Sequence, residues 1–390
     1  MKIGKWARLS LVALPLLSGC KGFWDVPSGS GGSGGSGTAS GVFYVLNQKT
    51  AELAGFTFAA NATTLTAVSN SPYTLGAKPF AVAISPAGGF LYLSTPVGIY
   101  VYGIANTGAL TILNSGQPIS SDFAFTMQVD PSGSWLIEAV SGLPEVNAIP
   151  LDSTTGLLLT GASEQSVALP SGATAIQQLT ITPSGSANPY VFVAMGSTGI
   201  AAVPFTATNN NPFGAVTTIK PISTTGGDTT IAVDVSRPLL YVGETVAVSG
   251  KQPGGLRVFT IAANSKFTEI SGSPYATAGI GPSAILPTTN YVYVANKAVS
   301  GSTSGNITGL AITLTGTVYS LTTVSTISAG VSTAGLAEDS TGTYLLAVNA
   351  SGSPDLSAFT FDATTAGKLD AYATASTGSD PVQAVAIAAP

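Results

Sequence analysis

Three aspartates are the main candidates for chemistry in a chain of which only 8% of the residues are charged. Asp122, Asp228 and Asp380 each lie in a short polar loop directly before an apolar segment. If these loops meet at one mouth, their carboxylates would join Asn and Gln carbonyls as oxygen ligands suited to Ca²⁺. Without a cation, mutual repulsion would raise the pKa of one carboxyl and favour a general base for attack of water on a lactone. The alternative, which we favour, is that each Asp caps its loop through an Asx turn.

Further binding candidates share places near the ends of predicted strands. Lys78 lies in a loop before an apolar strand, and a second class of loop carries Asn47, Glu244, Asn296, Lys297 and Asn349. Gln177, Gln178 and Gln383 lie on the strands that would line a central channel. Glu244 and Arg257 flank a Gly/Ser-rich loop, where we favour an exposed ion pair over a catalytic pair.

The missing residue types exclude several chemistries. The chain has no histidine and one cysteine, so Ser-His-Asp and Cys-His nucleophiles and Zn²⁺ sites with Cys or His ligands are excluded. No GxGxxG segment opens a helix after a strand, and nothing points to a dinucleotide. We therefore expect no organic cofactor, with Ca²⁺ as the one ion to consider.

An internal repeat organises the rest of the chain. A short apolar strand, a Pro/Ser/Gly turn and an aromatic-led strand recur, as in AVAISPAGGFLYLS (81–94) and IAVDVSRPLLYVG (231–243). The turns are centred on Pro86, Pro131, Pro183, Pro238, Pro287 and Ser340, at separations of 45 to 55 residues. Two more strands follow each pair, and four strands at this period are typical of a propeller blade.

A seventh repeat is split between the two ends of the chain. GVFYVLN (41–47) begins three strands of a blade, and VQAVAIA (382–388) matches the missing first strand. We therefore predict an all-β, seven-bladed β-propeller of four-stranded blades over 41–390, closed by the C-terminal strand joining the N-terminal blade. A parallel solenoid is the rival, but it would need capped ends rather than a returning strand.

The N-terminus predicts export. Lys2, Lys5 and Arg8 precede an apolar run that is too short to span a bilayer, which is typical of a signal peptide over 1–19. Leu17-Ser18-Gly19-Cys20 resembles the bacterial lipobox, which implies a lipid on Cys20 as the anchor in the bilayer. Residues 20–40 continue as a Gly/Ser-rich tether. Lys21, rather than Asp, follows the cysteine and favours the outer membrane.

The net charge of the mature chain limits the classes of macromolecule that it can bind. Removing 1–19 takes away three of the 13 basic residues and none of the 18 acidic ones, which leaves a net charge of about −8. Nucleic acid needs a basic footprint and is excluded. We expect a monomer.

The repeat text resembles the lactonase-type seven-bladed propellers, which include bacterial 6-phosphogluconolactonase-like proteins. The matching segments are Ser85-Pro86-Ala87-Gly88, Tyr44-Val45-Leu46-Asn47, Tyr293-Val294-Ala295-Asn296 and Leu346-Ala347-Val348-Asn349. The resemblance covers about residues 41–390 and implies a seven-bladed propeller fold. The family's activity is attributed to polar channel residues that include His. Because this chain has no histidine, no catalytic His can be assigned to it from the resemblance.

Two functions remain open. The first is a non-catalytic binding module for a glycan or an envelope protein, which the missing His, the low charge and the tether favour. The alternative is a sugar-lactone hydrolase that uses the carboxylates at the mouth, with or without a divalent metal.

Overall fold

The structure of the chain, a computed structural model, describes residues 39–59, 65–173, 176–223, 227–245, 254–263, 266–339, 342–377 and 380–387. The predicted signal peptide, Cys20 and nearly all of the tether lie outside these ranges. The described residues form antiparallel strands with one 3₁₀ turn at Asn114–Gly116 and no α-helix. Accordingly, none of them belongs to a helix that could cross a membrane.

The strands form six antiparallel sheets, A to F. Sheet A contains β1 (Ala39–Asn47), β2 (Glu52–Ala59), β3 (Leu65–Ala67) and β4 (Tyr73–Thr74), with one further strand from the C-terminus. Sheet B contains β5 (Ala81–Ile84), β6 (Phe90–Thr95), β7 (Gly98–Ile104) and β8 (Leu110–Ile112). Sheet C contains β9 (Ala124–Val129), β10 (Trp135–Val140), β11 (Glu145–Pro150) and β12 (Gln165–Ala168).

The second half of the chain continues the pattern. Sheet D contains β13 (Gln178–Ile181), β14 (Tyr190–Ala194), β15 (Ile200–Pro204) and β16 (Thr217–Ile219). Sheet E contains β17 (Asp228–Val233), β18 (Leu239–Glu244), β19 (Gly255–Ala262), β20 (Lys266–Glu269) and β21 (Tyr275–Ala276). Sheet F contains β22 (Ile280–Pro287), β23 (Tyr291–Ala298), β24 (Ser304–Thr315), β25 (Val318–Glu338), β26 (Tyr344–Ser351), β27 (Leu356–Phe361) and β28 (Leu369–Ala375). The C-terminal strand is β29 (Pro381–Ile387).

Sheet F joins two of the predicted repeats. Its 21-residue strand β25 pairs with β24 along its first part and with β26 along its last part. It therefore serves as the fourth strand of one four-strand group and as the first strand of the next. The sequence predicted two separate strands here, because it gives no sign that the chain passes between the groups without a turn.

The turn between first and second strands follows the predicted chemistry. In sheet C, the Asp130 carboxylate accepts the backbone N–H groups of Ser132 at 2.8 Å and Trp135 at 2.7 Å. Gly133 completes the turn with a φ of +75°, which glycine adopts at little cost. The repeated Pro/Ser/Gly segments therefore act as hairpin turns, as expected.

The cores lie between consecutive four-strand groups. Tyr44 of sheet A, for example, is buried with Leu91 and Leu93 of sheet B. Three buried tyrosines also donate a hydrogen bond to a glycine carbonyl in the next group: Tyr44 to Gly108 at 2.5 Å, Tyr92 to Gly156 at 3.0 Å and Tyr293 to Gly367 at 3.0 Å. The aromatic-led strands thus bury apolar surface and also fix the next group in place.

The two ends of the chain meet in sheet A. β29 pairs antiparallel with β1, with Tyr44 opposite Val385 and Val45 opposite Ala384. This is the strand pairing predicted from the match between AVAI at 81–84 and AVAI at 384–387. We call the end of the sheets at which their first strands begin the top face.

Candidate functional site

Three carboxylates converge at sheet C. Asp122 lies in the loop before β9, Glu138 on β10 and Glu164 shortly before β12. One oxygen of each lies within 4.8 Å of the others. We call Asp122, Glu138 and Glu164 the acidic cluster.

Glu138 occupies a position that is otherwise apolar. It follows Ile137 on the second strand of sheet C, and the residues at the same position elsewhere are Val45, Leu93, Val193, Val242, Val294 and Ala347. Leu136, two residues earlier on the same face, packs against sheet B, so the Glu138 side chain also faces sheet B. Its exposed fraction is 0%. The fold therefore buries an ionisable group where the other repeats bury a hydrocarbon.

Burial and repulsion dominate the electrostatics of the acidic cluster. Burial, followed by the negative charge of Asp122, raises the pKa of Glu138 to about 9, and the neighbouring Asn147 amide opposes this rise. Burial and the same charge raise the pKa of Glu164. Neither oxygen of Glu138 has a hydrogen-bond partner of good geometry, and neither has Oδ1 of the buried Asn147. Without a cation, Glu138 therefore retains its proton at neutral pH.

Aromatic side chains lie beside Asp122 on the top face. The Phe80 ring lies 4.5 Å from that of Phe123 and 6.4 Å from that of Phe125, measured between centroids. The Lys78 ammonium lies 5.2 Å from the Phe80 centroid. Phe125 keeps 43% of its surface exposed. We call Lys78, Phe80, Phe123 and Phe125 the aromatic patch.

The second predicted aspartate lies in a different environment. Asp228 is fully buried and accepts a hydrogen bond from the Arg257 guanidinium at 3.3 Å, and Arg257 also contacts Glu269 at 3.1 Å. Glu244 lies opposite Asp228 in the strand pairing. Burial raises the pKa of Asp228 to about 7, with Arg257 opposing the rise and Glu244 adding to it. The expected exposed pair between Glu244 and Arg257 is thus corrected to a buried network.

Asp380, the third aspartate, forms a surface ion pair with Lys49 at 3.4 Å. The three aspartates, for which we had considered convergence at one mouth without favouring it, have three separate surroundings. The physical reason is register: Asp228 pairs with the end of its second strand, whereas Asp122 lies two residues before Ala124, the residue in the corresponding pair. Similar loop sequences therefore point their carboxylates in different directions.

The candidate asparagines have structural contacts. Asn296 and Asn349 are fully buried; Asn296 hydrogen-bonds Thr277 in the loop before β22, and Asn349 accepts a hydrogen bond from Thr333 within β25. Asn47 is buried and accepts a hydrogen bond from Thr377, and its Nδ2 has no partner among the described residues. Their positions at the second-strand ends, which suggested ligand binding, also suit them to hold these segments.

Two of the candidate glutamines bridge neighbouring groups. The Gln383 amide bonds both N and O of Val82 at 3.2 Å, and Gln178 Oε1 accepts from Ile231 N at 3.0 Å and from Thr230 Oγ1 at 2.6 Å. These contacts satisfy backbone groups on the exposed edges of first strands. Gln177 and Lys297 are exposed.

The opposite end of sheets B and C holds a cavity of about 300 Å³. Its walls include Ser85, Ser132 and Ser153 beside Phe90 and Tyr92, with no charged side chain. It therefore has fewer groups for chemistry than the top face.

Sequence reasoning missed Glu138 and Glu164. The available signal was a Glu in the second strand WLIEAV at a position where the aligned repeats carry Val, Leu or Ala. No comparable pattern indicates Glu164, because it lies in a loop whose path depends on the fold.

Comparison with known proteins identifies the fold. The sequence matches no protein-family model and no curated protein. A protein of Bacteroides fragilis, provisionally described as a 6-phosphogluconolactonase, superposes with a TM-score of 0.69 at 15% identity over 91% of this chain and 100% of that one. Its counterpart in Bacteroides uniformis gives 0.67 at 16% identity over 90% and 100%. The periplasmic gluconolactonase of Pseudomonas aeruginosa gives 0.63 at 15% identity over 90% and 99%.

These similarities extend over nearly the whole described body. At such low identity they establish architecture rather than activity. The resemblance expected from the repeat text is thus confirmed for the fold: the chain has the lactonase-like β-propeller architecture.

Proposed function

We propose that this chain is an extracytoplasmic lipoprotein whose body is a closed seven-bladed propeller, and that its top face binds a sugar or sugar-acid ligand. The observation that carries the ligand class is the aromatic patch beside Asp122 and Glu164. Apolar ring faces pack against the C–H groups of a sugar, and carboxylates accept strong hydrogen bonds from its hydroxyls. The aromatic patch and the neighbouring carboxylates together provide both kinds of contact.

The pairing of β29 with β1 supports a closed ring. So does the packing of sheet A on both sides, since Tyr44 is buried against sheet B while Phe43 and Val45 are buried with Leu346 and Val348 of sheet F. Sheet F supplies two blades that share β25. Closure would remove the sheet edges and the unburied face that an open array leaves.

Anchoring rests on the lipobox-like end of the leader at Cys20. It predicts incorporation of labelled palmitate into the full chain and its loss in Cys20→Ala. A labelled Cys20→Ala chain would contradict the assignment of the anchor.

The ligand proposal is tested by titrating the purified full-length protein with a panel of oligosaccharides, sugar acids and their lactones in a calorimeter. Phe125→Ala should weaken binding of any hit, because it removes an exposed ring of the aromatic patch. The matched control is Leu314→Ala, which truncates a side chain that is 54% exposed on the β24–β25 hairpin. Failure of every panel member to bind, or equal loss in both variants, would refute the proposal.

Lactone hydrolysis is the second candidate, and the fold similarity to a gluconolactonase favours it. Here a carboxylate of Asp122 or Glu164 would take a proton from water while the water oxygen bonds to the lactone carbonyl carbon. The ring C–O bond then breaks, and its oxygen leaves with a proton. Absence of turnover of every lactone in the panel would exclude this candidate without affecting the binding proposal.

A further inference from the structure

We propose that Asp122, Glu138, Glu164 and Asn147 form a binding site for one divalent cation, with Ca²⁺ as the ion that suits their donors best. This site shares Asp122 and Glu164 with the proposed ligand site, but Ca²⁺ binding is measured without any sugar or lactone, so its failure and that of the proposed function are distinguishable.

The spacing of the donors fits such an ion. One carboxylate oxygen of each of Asp122, Glu138 and Glu164 lies within 4.8 Å of the other two. Ca²⁺ binds oxygen at about 2.3–2.6 Å, so ligands on opposite sides of one ion are about 4.6–5.2 Å apart. All the donors are carboxylate or amide oxygens, which hard cations prefer over softer metals.

Two buried side chains lack the partners that burial requires. Both oxygens of Glu138 and Oδ1 of Asn147 have no hydrogen-bond partner in the described part of the chain. Glu138 is 0% exposed and Asn147 3% exposed. They lie directly opposite each other on β10 and β11, so both side chains are on the face that looks toward sheet B. Buried polar groups normally have partners, and a bound cation would supply one to each.

In sheet E, a similar group of carboxylates is neutralised by a basic side chain of the protein itself. There, Arg257 on the third strand contacts Asp228 of the first strand and Glu269 of the fourth, and Glu244 of the second strand lies opposite Asp228. Arg257 pairs with Val242, the residue that corresponds to Glu138, and Arg257 therefore corresponds to Asn147. Sheet C thus combines three carboxylates with a neutral amide at the position of the guanidinium.

Within the described part of the chain, no other basic side chain forms an ion pair with the acidic cluster. Among the described residues, the ion pairs involve Lys49, Arg237, Arg257 and Lys368, and none of these contacts the acidic cluster. A cation from solution would supply the compensating charge.

The test titrates CaCl₂ into the chelator-treated full-length protein and follows calorimetry and the thermal midpoint. We expect one Ca²⁺ per chain and a midpoint that rises with Ca²⁺ concentration, because the ion binds only the folded state. Glu138→Gln should weaken binding by about tenfold or more, since it removes one of three charges. Glu338→Gln, which changes a partly buried glutamate in sheet F, is the control and should bind as the parent does.

Asn147→Arg is the second variant, and it adds a positive charge to the site instead of removing a negative one. It places in sheet C the guanidinium that sheet E already has, so it should abolish Ca²⁺ binding while keeping a folded, Ca²⁺-independent chain. Asp122→Asn, at a partly exposed position, tests the site if either buried variant fails to fold. Absence of Ca²⁺ binding to the parent protein up to about 10 mM, roughly ten times the weakest dissociation constants of protein calcium sites, would overturn the proposal. Unchanged affinity in both Asp122→Asn and Glu138→Gln would do so as well.

Discussion

Asn147 in sheet C and Arg257 in sheet E occupy the same position of the fold, as third-strand partners of Glu138 and Val242. Both face carboxylates contributed by other strands of their sheets. The guanidinium contacts two of those carboxylates, whereas the amide supplies no charge. At the same position of two repeats, sheet E therefore neutralises its buried carboxylates with a guanidinium, whereas sheet C has only a neutral amide.

Arg257 is expected to be essential for stability. Replacing it with Met leaves Asp228 and Glu269 without their cation, and breaking a buried ion pair costs about 3–5 kcal/mol. Denaturant unfolding of Arg257→Met should show a loss in this range. Lys49→Met, which removes an exposed pair with Asp380, is the control and should cost about 1 kcal/mol or less. Equal losses in the two variants would contradict the buried network.

Stability should depend on pH through Glu338. Burial, and next the charge of Asp339, raise its pKa from 4.5 to about 7. Between those values the folded chain holds a proton that the unfolded chain has lost, so stability falls as pH rises from about 4.5 to about 7. One proton gives a slope of at most about 1.4 kcal/mol per pH unit. Denaturation of the parent and of Glu338→Gln across this range should show a shallower fall in the variant, and parallel curves would refute the assignment.

The glutamine bridges should contribute measurably to packing between neighbouring groups. Gln178→Ala leaves the Ile231 N–H and the Thr230 hydroxyl without their acceptor, at a cost of about 1–3 kcal/mol for a buried donor. Gln177→Ala changes the exposed neighbour and should have a smaller effect. Chemical denaturation of both variants makes the comparison, and a larger loss for Gln177→Ala would contradict this role.

Removal of residues 381–390 tests closure. It deletes β29 and leaves the outer edge of β1 unpaired. We expect amide exchange to accelerate along Val42–Leu46 and cooperative unfolding to weaken, because an edge strand and an apolar face become exposed. Protection of β1 that survives the deletion would argue against a ring that depends on this strand.

Much of the fold was predictable from local patterns. Hairpin turns such as Asp130 to Gly133 are encoded by residues a few positions apart, so the repeats could be aligned from sequence alone. The match between the C-terminal segment and the first strands of other repeats likewise predicted the partner of β1. The continuous β25 was missed, because nothing in Val318–Glu338 distinguishes one long strand from two short ones.

The candidate site was predictable only in part. Asp122 was identified as a candidate, but its partner Glu138 lies on β10 and Glu164 in the loop before β12, and their convergence depends on how sheet C folds around its hairpins. Gln178 and Gln383 were placed correctly on first strands, yet their side chains bridge backbone edges that exist only once neighbouring sheets have packed.

The sequence by itself determined the strand order, the turn positions, the low charge and the absence of histidine chemistry, because these depend on residue type and short-range spacing. The tertiary structure alone decided which carboxylates meet. Asp122, Asp228 and Asp380 look alike in sequence, and a shift of one or two residues in strand register gives each a different neighbour: other carboxylates, a buried guanidinium or a surface lysine.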